Sequence, residues 1–397
     1  MVRIPYIVVS VVPAGFRPGF VNAPPRLRDR ITSRKESAMS GLESSRRMFL
    51  ASTAVAPVLA ATEEIVEFFP PPERIRITAA TTRTVVRPPR YAAEEVKRIE
   101  SQGKDVRLIV PGNAGELNRL LPEVDVIFGS IDADMLARAK NLKWLQAIEA
   151  GVDRVLFPEL VKSDVVVTNM KRVFAPVVSE SAIAMMLCLS RGYVSNYFPQ
   201  FQQRKWHRER DLVESDSKTM GIVGQGGIGS AVAYRAHGGF RMRILATDTK
   251  PMPKPAFVDT LREPEWFMEM VPQVDVLVSC VPSTPKTVNM FNEDVFRSMK
   301  KSAYFINVSR GTVVDQEALA RALKEGWIAG AGLDVTEPEP LPPSSELWDC
   351  PNLMITAHSA GFAPERHGRL VDLLTENVRR YSNGLPLMNV VDKERGY

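Results

Sequence analysis

Short apolar runs alternate with amphipathic stretches along most of the chain after residue 74. The runs have the length of buried strands, and the stretches between them repeat apolar residues at helical spacing. In the first half, the predicted strands are residues 75–79, 106–110, 124–128, 144–148 and 165–168, and the predicted helices are residues 92–101, 114–121 and 135–140. Strands and helices that alternate at this interval indicate a parallel sheet with helices on both faces.

The second half repeats this alternation after a long helical pattern over residues 177–208, where apolar side chains recur at helical spacing. A final helix is predicted at residues 370–381, and Asn383-Gly384 ends it. The predicted strands of this half are residues 220–223, 242–247, 274–280, 303–308, 328–335 and 353–357. The sequence therefore predicts an α/β protein with two doubly wound parallel sheets.

Residues 44–61 carry the features of an export signal. Arg46 and Arg47 precede an apolar run, residues 48–59, that is too short and too rich in Ala and Thr to span a bilayer. The segment resembles a twin-arginine signal, which predicts periplasmic localisation and the twin-arginine export machinery as a partner, with export of a folded, cofactor-loaded protein. A disordered basic extension is the alternative. Because the stretch before Met39 has no recognisable pattern, we expect translation to start at Met39.

The net positive charge of the chain, +5, lies in this leader. Residues 1–60 hold 9 of the 51 basic and 3 of the 46 acidic residues, which leaves 42 basic and 43 acidic residues in the body. A balanced body gives no support for nucleic-acid binding. No apolar run approaches the ~20 residues of a membrane span. The three cysteines and four histidines have no metal-site spacing, so we expect no metal.

A Gly-x-Gly-x-x-Gly run spans residues 224–229. A predicted strand precedes it and a predicted helix, residues 230–237, follows it, which is the context of a dinucleotide-binding turn. The first glycine permits the tight bend, the second lets the backbone approach the pyrophosphate, and the third lets the helix pack on the strand. The phosphates then meet free N–H groups at the helix N-terminus. The candidate cofactor-binding residues of this turn are Gly224, Gly226, Gly227, Ile228 and Gly229.

Asp248 lies 19 residues after Gly229, at the end of the next predicted strand. A carboxylate at this position accepts hydrogen bonds from the adenosine ribose and repels a 2′-phosphate, so NAD is favoured over NADP. Lys250 weakens that preference, because its positive charge attracts a phosphate.

Three ionisable residues, Arg310, Glu339 and His358, lie at the ends of predicted strands in the second sheet, where ligands of such sheets bind. A guanidinium grips the planar carboxylate of a 2-oxo acid and polarises the adjacent carbonyl. Hydride delivery to that carbonyl leaves an alkoxide, which needs an acid such as histidine. A carboxylate beside the imidazole stabilises its protonated form and orients it. With the dinucleotide turn, these residues predict hydride transfer between NAD and a small 2-hydroxy or 2-oxo acid.

Several motifs of the chain resemble those of the D-isomer-specific 2-hydroxyacid dehydrogenase family, and the resemblance covers residues 75–397. It implies a homodimer and an oxidoreductase whose first candidate substrates are glyoxylate and hydroxypyruvate. The motifs are the glycine turn, Asn307-Val308-Ser309-Arg310-Gly311 with Val314-Asp315, Gly332-Leu333-Asp334-Val335 followed by Glu339-Pro340, the segment around His358, and the tail from Asn377 to Asp392.

The resemblance also implies a role for each site residue. Arg310 binds the substrate carboxylate and carbonyl, His358 is the acid and base, and Glu339 is the partner of His358. The loop of residues 149–152 presents backbone N–H groups to the carboxylate, so Ala150 and Gly151 are candidate substrate-binding residues. The residues implied on the nicotinamide side are Val308, Ser309 and Asp334.

The family fold divides the chain into domains. Residues 75–170 together with 362–397 form a flavodoxin-like substrate domain, and residues 171–361 form an inserted Rossmann NAD-binding domain. Residues 1–61 are then the leader, and residues 62–74 are a linker that ends in prolines. Dimers of the family usually form through the inserted domain, which suits the long helical pattern after residue 177.

Departures from the family pattern keep other functions open. Ala357 stands before His358 in place of the usual proline, and Thr336 replaces a common aromatic residue. Lys171-Arg172, near the hinge, is either a solvated face or a site for a second acidic group of the substrate. A formate or phosphite dehydrogenase is one alternative, although formate enzymes have glutamine in place of Glu339. A non-catalytic NAD-binding sensor is the other, and the export signal argues against it.

Overall fold

The computed structural model describes residues 83–86, 92–109, 111, 113–250 and 252–397. The leader, the linker and the strand predicted at residues 75–79 lie outside the described residues. Within them, the strands are β1 (Arg83–Val86), β2 (Val106–Ile109), β3 (Val126–Phe128), β4 (Trp144–Gln146), β5 (Val166–Thr168), β6 (Thr219–Val223), β7 (Arg243–Thr247), β8 (Thr260–Arg262), β9 (Val276–Ser279), β10 (Tyr304–Asn307), β11 (Gly330–Leu333) and β12 (Leu353–Ile355). The α-helices are α1 (Ala93–Glu100), α2 (Ala114–Leu120), α3 (Ala133–Arg138), α4 (Pro158–Lys162), α5 (Ala175–Ser190), α6 (Phe198–Gln202), α7 (Gly227–Phe240), α8 (Phe267–Met270), α9 (Glu293–Ser298), α10 (Gln316–Lys324) and α11 (Arg366–Ser382).

Seven parallel strands form the larger sheet, in the order β12-β11-β10-β9-β6-β7-β8. Counted from β6, this is the 3-2-1-4-5-6 order of a Rossmann sheet with one further strand. The register pairs Val223 at the end of β6 with Thr247 of β7 on one side and with Ser279 of β9 on the other. The strand order reverses between β6 and β9, so their carboxyl ends border the crevice where ligands of such sheets bind.

The smaller half of the fold contains two short parallel sheets, β1-β2 and β3-β4-β5. Because β1 also lies alongside β3, the five strands follow the flavodoxin-like order β2-β1-β3-β4-β5. Trp144 of β4 is fully buried, and its ring packs 5.6 Å from that of Phe128 and 5.3 Å from that of Tyr381. The predicted fold class is therefore confirmed, whereas the predicted domain bounds stay a prediction.

The long helical pattern predicted over residues 177–208 is confirmed only in part. α5 ends at Ser190, and Gly192 then takes a left-handed φ of 68°. A π-helical turn at Tyr193–Tyr197 and the short α6 follow, and residues 203–218 contain no helix. Glycine ends a helix readily because it has no Cβ to clash in the left-handed region. A Cβ at this position would also lie 2.8 Å from the Leu212 side chain.

Helix α11 returns the chain to the smaller sheets through a buried polar network. Asn377 is fully buried and donates from Nδ2 to Gln146 Oε1 at 3.1 Å and to the carbonyl of Met388 at 3.2 Å. Its Oδ1 accepts from the Met388 N–H at 2.7 Å. Thr168 Oγ1 donates to the same Gln146 oxygen at 2.8 Å. Because buried polar groups need partners, this network fixes α11 and the tail to β4 and β5.

No single helix in the described part of the chain is long and apolar enough to cross a membrane. Two consecutive helical segments, Ala175–Ser190 and Tyr193–Gln202, have the length and composition of a membrane span only when they are taken together, and the chain bends by 62° between them. Across the same residues, no group of three or more His, Cys, Asp or Glu side chains is placed to hold a metal ion.

Candidate active site

The loop that carries His358 follows β12 and is fixed by Asp334, the first residue after β11. Asp334 is buried, and its carboxylate accepts hydrogen bonds from Thr356 Oγ1 (2.6 Å), Ser359 N (2.9 Å) and Ala360 N (3.0 Å). Its carbonyl oxygen accepts from the His358 N–H at 2.7 Å. These bonds hold the His358 backbone at a left-handed φ of 49°, which costs a non-glycine residue about 1–2 kcal/mol.

His358 and Glu339 form the pair that the sequence predicts. His358 Nδ1 lies 2.9 Å from Glu339 Oε2. The Glu339 side chain is only 21% exposed, whereas that of His358 is 42% exposed. Because the carboxylate engages Nδ1, Nε2 is the ring nitrogen that is available to a substrate.

One loop of the smaller half connects the His358 pair with Arg310. Arg154 Nη2 lies 3.3 Å from Glu339 Oε2. The preceding residue, Asp153, accepts a hydrogen bond from Arg310 Nε at 3.0 Å. The Arg310 and Asp153 side chains are 22% and 23% exposed, so this ion pair is partly shielded from water and orients the guanidinium. The three catalytic candidates therefore converge on a single loop.

Gly151 gives the Arg310 side chain the space it occupies. A Cβ on Gly151 would lie 1.9 Å from Arg310 Nη2 and 2.8 Å from its Cζ, so no larger residue fits unless the guanidinium moves. The carbonyl of the preceding residue, Ala150, accepts a hydrogen bond from Asn169 Nδ2 at 2.7 Å, which stabilises the loop. Gly151 thus lies beside the predicted carboxylate-binding arginine, and Ala150 belongs to the same loop.

Val308 and Ser309 follow β10 and are both buried. The Ser309 hydroxyl lies 2.8 Å from the Ser279 hydroxyl at the end of β9, and it donates to Asn307 Oδ1 at 2.7 Å. These bonds tie together the carboxyl ends of two neighbouring strands. The contact of Val308, Ser309 and Asp334 with a nicotinamide stays a prediction.

The glycine turn after β6 has the shape that a dinucleotide requires. Gly224 has a left-handed φ of 92°, and a Cβ there would lie 2.7 Å from the carbonyl oxygen of Cys280. A Cβ on Gly229 would lie 2.1 Å from the carbonyl oxygen of Gly224, so the helix approaches the strand only because this residue is glycine. A Cβ on Gly226, the N-cap of α7, would meet nothing within 4 Å. The open space before the helix N-terminus therefore fits a pyrophosphate.

The other two candidate cofactor-binding residues of the turn, Gly227 and Ile228, belong to α7. Gly227 begins the helix, and Ile228 packs against the apolar core beneath it. A Cβ on Gly227 would lie 2.8 Å from Arg172 Cγ. Arg172 itself has a left-handed φ of 73°. The hinge thus brings a guanidinium-bearing residue to the turn that is built for phosphates.

Asp248 is the first residue after β7, and its Oδ1 accepts a hydrogen bond from the Lys250 N–H at 2.9 Å. Desolvation lowers the pKa of Lys171 in the hinge, and the positive charges of Lys250 and Arg172 lower it further, while Asp248 raises it. Lys171 and Arg172 are both exposed, and Arg172 lies beside Gly227 of the glycine turn. The two alternatives for this pair stay predictions.

Asp153 and Arg154 are the site residues that sequence reasoning missed. The available signal was an acidic residue two positions after Gly151, in the loop already predicted to bind the carboxylate. Its pairing with Arg310, which lies 157 positions away, depends on the tertiary structure.

Residues 183–360 match the model of the D-isomer specific 2-hydroxyacid dehydrogenase NAD binding domain. The chain is 35% identical over 285 residues to a glyoxylate reductase of Korarchaeum cryptofilum, a match that covers 68% of this chain and 82% of that protein. It is 34% identical over 278 residues to a glyoxylate reductase of Pyrococcus furiosus, again covering 68% of this chain and 82% of the relative.

Solved structures show the same similarity. A D-isomer specific 2-hydroxyacid dehydrogenase from Xanthobacter autotrophicus, in complex with NADPH and MES, superposes with a TM-score of 0.68 at 27% identity. An NADPH-dependent glyoxylate/hydroxypyruvate reductase from Sinorhizobium meliloti, in complex with NADP and sulfate, gives the same TM-score and identity. Each match covers 80% of this chain and 100% of the other.

The substitution Gly151→Ala tests the packing of Arg310. Its methyl group would overlap Arg310 Nη2, so we expect the guanidinium to move and kcat/KM for a 2-oxo acid to fall about 100-fold. Steady-state kinetics measures the loss, and dinucleotide affinity should stay unchanged. Gly368→Ala is the matched control, because a Cβ on Gly368 meets nothing within 4 Å. Wild-type kinetics in Gly151→Ala would show that this close contact has no part in the site.

Proposed function

This chain belongs to the D-isomer-specific 2-hydroxyacid dehydrogenase family of oxidoreductases, and we propose that it reduces a small 2-oxo acid to the D-2-hydroxy acid, or catalyses the reverse oxidation. The observation that carries this proposal is the convergence of Arg310, Glu339 and His358 on one loop, within a fold that also carries the dinucleotide turn. Glyoxylate is the first candidate substrate, because relatives at 34–35% identity are named glyoxylate reductases. Hydroxypyruvate is the second, because a structural neighbour is named a glyoxylate/hydroxypyruvate reductase.

Arg310 binds the carboxylate of the substrate in this proposal. Asp153 accepts a hydrogen bond from Arg310 Nε, and Nη2 of the same guanidinium lies next to Gly151. The backbone N–H groups around Ala150 and Gly151 supply further donors to the same carboxylate. This grip places the neighbouring carbonyl near His358 and draws electron density away from its carbon.

A reduced nicotinamide bound in the crevice supplies the hydride. As the substrate oxygen gains negative charge, His358 Nε2 donates a proton to it, and the neutral imidazole takes the proton back in the oxidation direction. Glu339 accepts the hydrogen bond from Nδ1, which stabilises the imidazolium and fixes the ring. Asp334 acts through the backbone, since it holds the loop that carries His358.

NAD is the dinucleotide that we propose this protein prefers. The Asp248 carboxylate at the end of β7 accepts hydrogen bonds from ribose hydroxyls and repels a 2′-phosphate. Lys171 and Lys250 lie near that carboxylate and reduce the repulsion. Two related structures hold NADPH or NADP. We therefore expect this protein to use NADPH as well, but less efficiently than NADH.

A homodimer is proposed from the exposed aromatic side chains of residues 193–206. The rings of Tyr193 and Phe198 lie 6.0 Å apart, and Phe201 and Trp206 are 84% and 97% exposed. Exposed apolar patches of this kind mark contacts with another protein surface. Light scattering of the purified protein tests the dimer, and a monomeric mass at micromolar concentration contradicts it.

Export to the periplasm through the twin-arginine machinery is proposed from the sequence alone, because residues 44–61 lie outside the described residues. An export route for folded proteins suits an enzyme that must leave the cytoplasm with its dinucleotide already bound. It also argues against the alternative of a cytoplasmic, non-catalytic sensor.

The substitution His358→Gln distinguishes the proposed enzyme from the alternative of a non-catalytic NAD-binding sensor. Without an acid and base, kcat should fall about 100-fold to 10,000-fold, while the dissociation constant of NADH, measured by fluorescence, should stay near that of the wild type. His367→Gln is the control, because His367 also pairs with a carboxylate, that of Glu95 at 2.9 Å, but lies on α11. Full turnover in His358→Gln would sink the proposed mechanism.

Asp248→Asn tests the dinucleotide preference. Loss of the negative charge removes the repulsion of a 2′-phosphate, so the ratio of kcat/KM for NADPH to that for NADH should rise about tenfold. Parallel kinetics with the two dinucleotides measures this ratio. An unchanged ratio would mean that Asp248 does not face the adenosine ribose.

Replacing Arg46 and Arg47 with lysines should keep the protein in the cytoplasm, because the arginine pair defines the proposed signal. Fractionation of cells that express the full chain, with detection by an antibody, measures its location. Arg74→Lys, which lies after the signal segment, is the control. A cytoplasmic wild-type protein would contradict the export proposal.

A further inference from the structure

The chain after α11 folds into a compact turn that is fastened to the smaller half. Asp392 Oδ1 accepts hydrogen bonds from Glu394 N at 3.1 Å and Arg395 N at 3.0 Å, and the Asp392 carbonyl accepts from Gly396 N at 2.9 Å. We call residues 389–397 the tail segment. These hydrogen bonds within the segment define the turn.

Two residues, Asn389 and Lys393, anchor the tail segment, the first to the hinge and the second to the smaller half. Asn389 donates from Nδ2 to the carbonyl of Lys171 at 3.1 Å, and its own carbonyl accepts from Asn169 N at 3.1 Å. Lys393 Nζ donates to the carbonyls of Leu160 at 3.1 Å and Val165 at 3.2 Å, and also to that of Ser163. The tail is therefore held in place up to Lys393.

Beyond Lys393, the tail segment reaches the larger sheet. The Tyr397 hydroxyl lies 2.9 Å from Thr249 Oγ1, and Lys250 Nζ lies 4.5 Å from the centroid of the Tyr397 ring. A Cβ on Gly396 would lie 4.0 Å from Thr284 Cγ2. The tail segment thus contacts the loop after β7 through Tyr397, and Gly396 lies beside Thr284 in the loop after β9.

These two loops border the adenosine end of the crevice. Thr249 directly follows Asp248, the residue placed to bind the adenosine ribose. Thr284 follows β9. In the sheet, β9 and β7 lie on opposite sides of β6, the strand that leads into the glycine turn. The tail segment contacts the first loop and lies beside the second, and Tyr397 is the aromatic side chain that it brings there.

We propose that Tyr397 binds the adenosine half of the dinucleotide, as the outer wall of its pocket, and that the tail segment slows release of the cofactor. This inference rests on the proposed function, because it assigns a residue to the same dinucleotide site. An aromatic ring is the side chain that stacks on a purine base, and the cation of Lys250 against the ring holds it in position.

The tail segment also joins the two halves of the fold at this point. Its anchors lie on the smaller half and on the hinge, whereas Thr249 and Lys250 belong to the larger sheet. A dinucleotide held under Tyr397 leaves only when the contact between the halves opens there. This property suits an enzyme that has to retain its cofactor where none is resupplied.

The test measures binding of two fragments of the dinucleotide to the full-length protein by calorimetry. ADP-ribose contains the adenosine half, and nicotinamide mononucleotide contains the other. Tyr397→Ala should weaken ADP-ribose binding about 10-fold and leave mononucleotide binding unchanged. Tyr397→Phe keeps the ring and should stay within about twofold of wild type. Glu394→Ala, in the same segment, is the control and should bind both fragments as wild type does.

The rate of release gives a second, independent measurement. Displacement of NADH in a stopped-flow fluorimeter should be about 10-fold faster in Tyr397→Ala and unchanged in Glu394→Ala. An unchanged or tighter ADP-ribose affinity in Tyr397→Ala overturns the inference. Equal losses for both fragments, with a lower melting temperature, would overturn it as well, since they would indicate a general structural defect.

The outcomes also distinguish this inference from the proposed function. If the wild type binds ADP-ribose but reduces no 2-oxo acid, the proposed function fails, and the Tyr397 variants still decide the role of the tail. If the wild type binds neither fragment, both are overturned.

Discussion

The buried carboxylate of Asp334 is the interaction on which the geometry of the site depends. The carboxylate accepts hydrogen bonds from one hydroxyl and two backbone N–H groups of the loop after β12. The backbone carbonyl of Asp334 accepts a further hydrogen bond from the His358 N–H. A charge-assisted hydrogen bond is stronger than a neutral one, and a buried carboxylate without partners is costly. The carboxylate and the loop therefore require each other, and His358 is held in a left-handed conformation that it would not otherwise adopt.

The rest of the site follows from the meeting of the two halves of the fold at a single loop. Arg310 and Glu339 come from the larger sheet, yet each contacts a neighbouring residue of one loop of the smaller half, Asp153 and Arg154. In the proposed mechanism, substrate binding and proton transfer therefore depend on the same contact between the halves. The hinge residue Arg172 and the tail segment lie at the dinucleotide end of that contact. We infer that cofactor and substrate sites are assembled together, because neither is complete on one half alone.

Local patterns allowed much of the fold to be predicted, since the strands of the larger sheet are apolar runs and the glycine turn needs its residues at fixed spacing. Strand β8 escaped prediction because it is a short edge strand, Thr260–Arg262, with two polar residues. The break at Gly192 escaped because apolar side chains continue on both sides of it. The roles of Asp153 and Tyr397 depend on partners 157 and 148 positions away, so no local pattern reveals them.

The central claim is that this chain transfers a hydride to a small 2-oxo acid. The most direct measurement is to mix the purified protein with NADH or NADPH and hydroxypyruvate, follow the loss of reduced dinucleotide, and determine the configuration of the product by chiral chromatography. The account predicts D-glycerate, formed in equal amount to the dinucleotide oxidised. Dinucleotide binding without oxidation by hydroxypyruvate, glyoxylate or other small 2-oxo acids would contradict it, as would formation of L-glycerate.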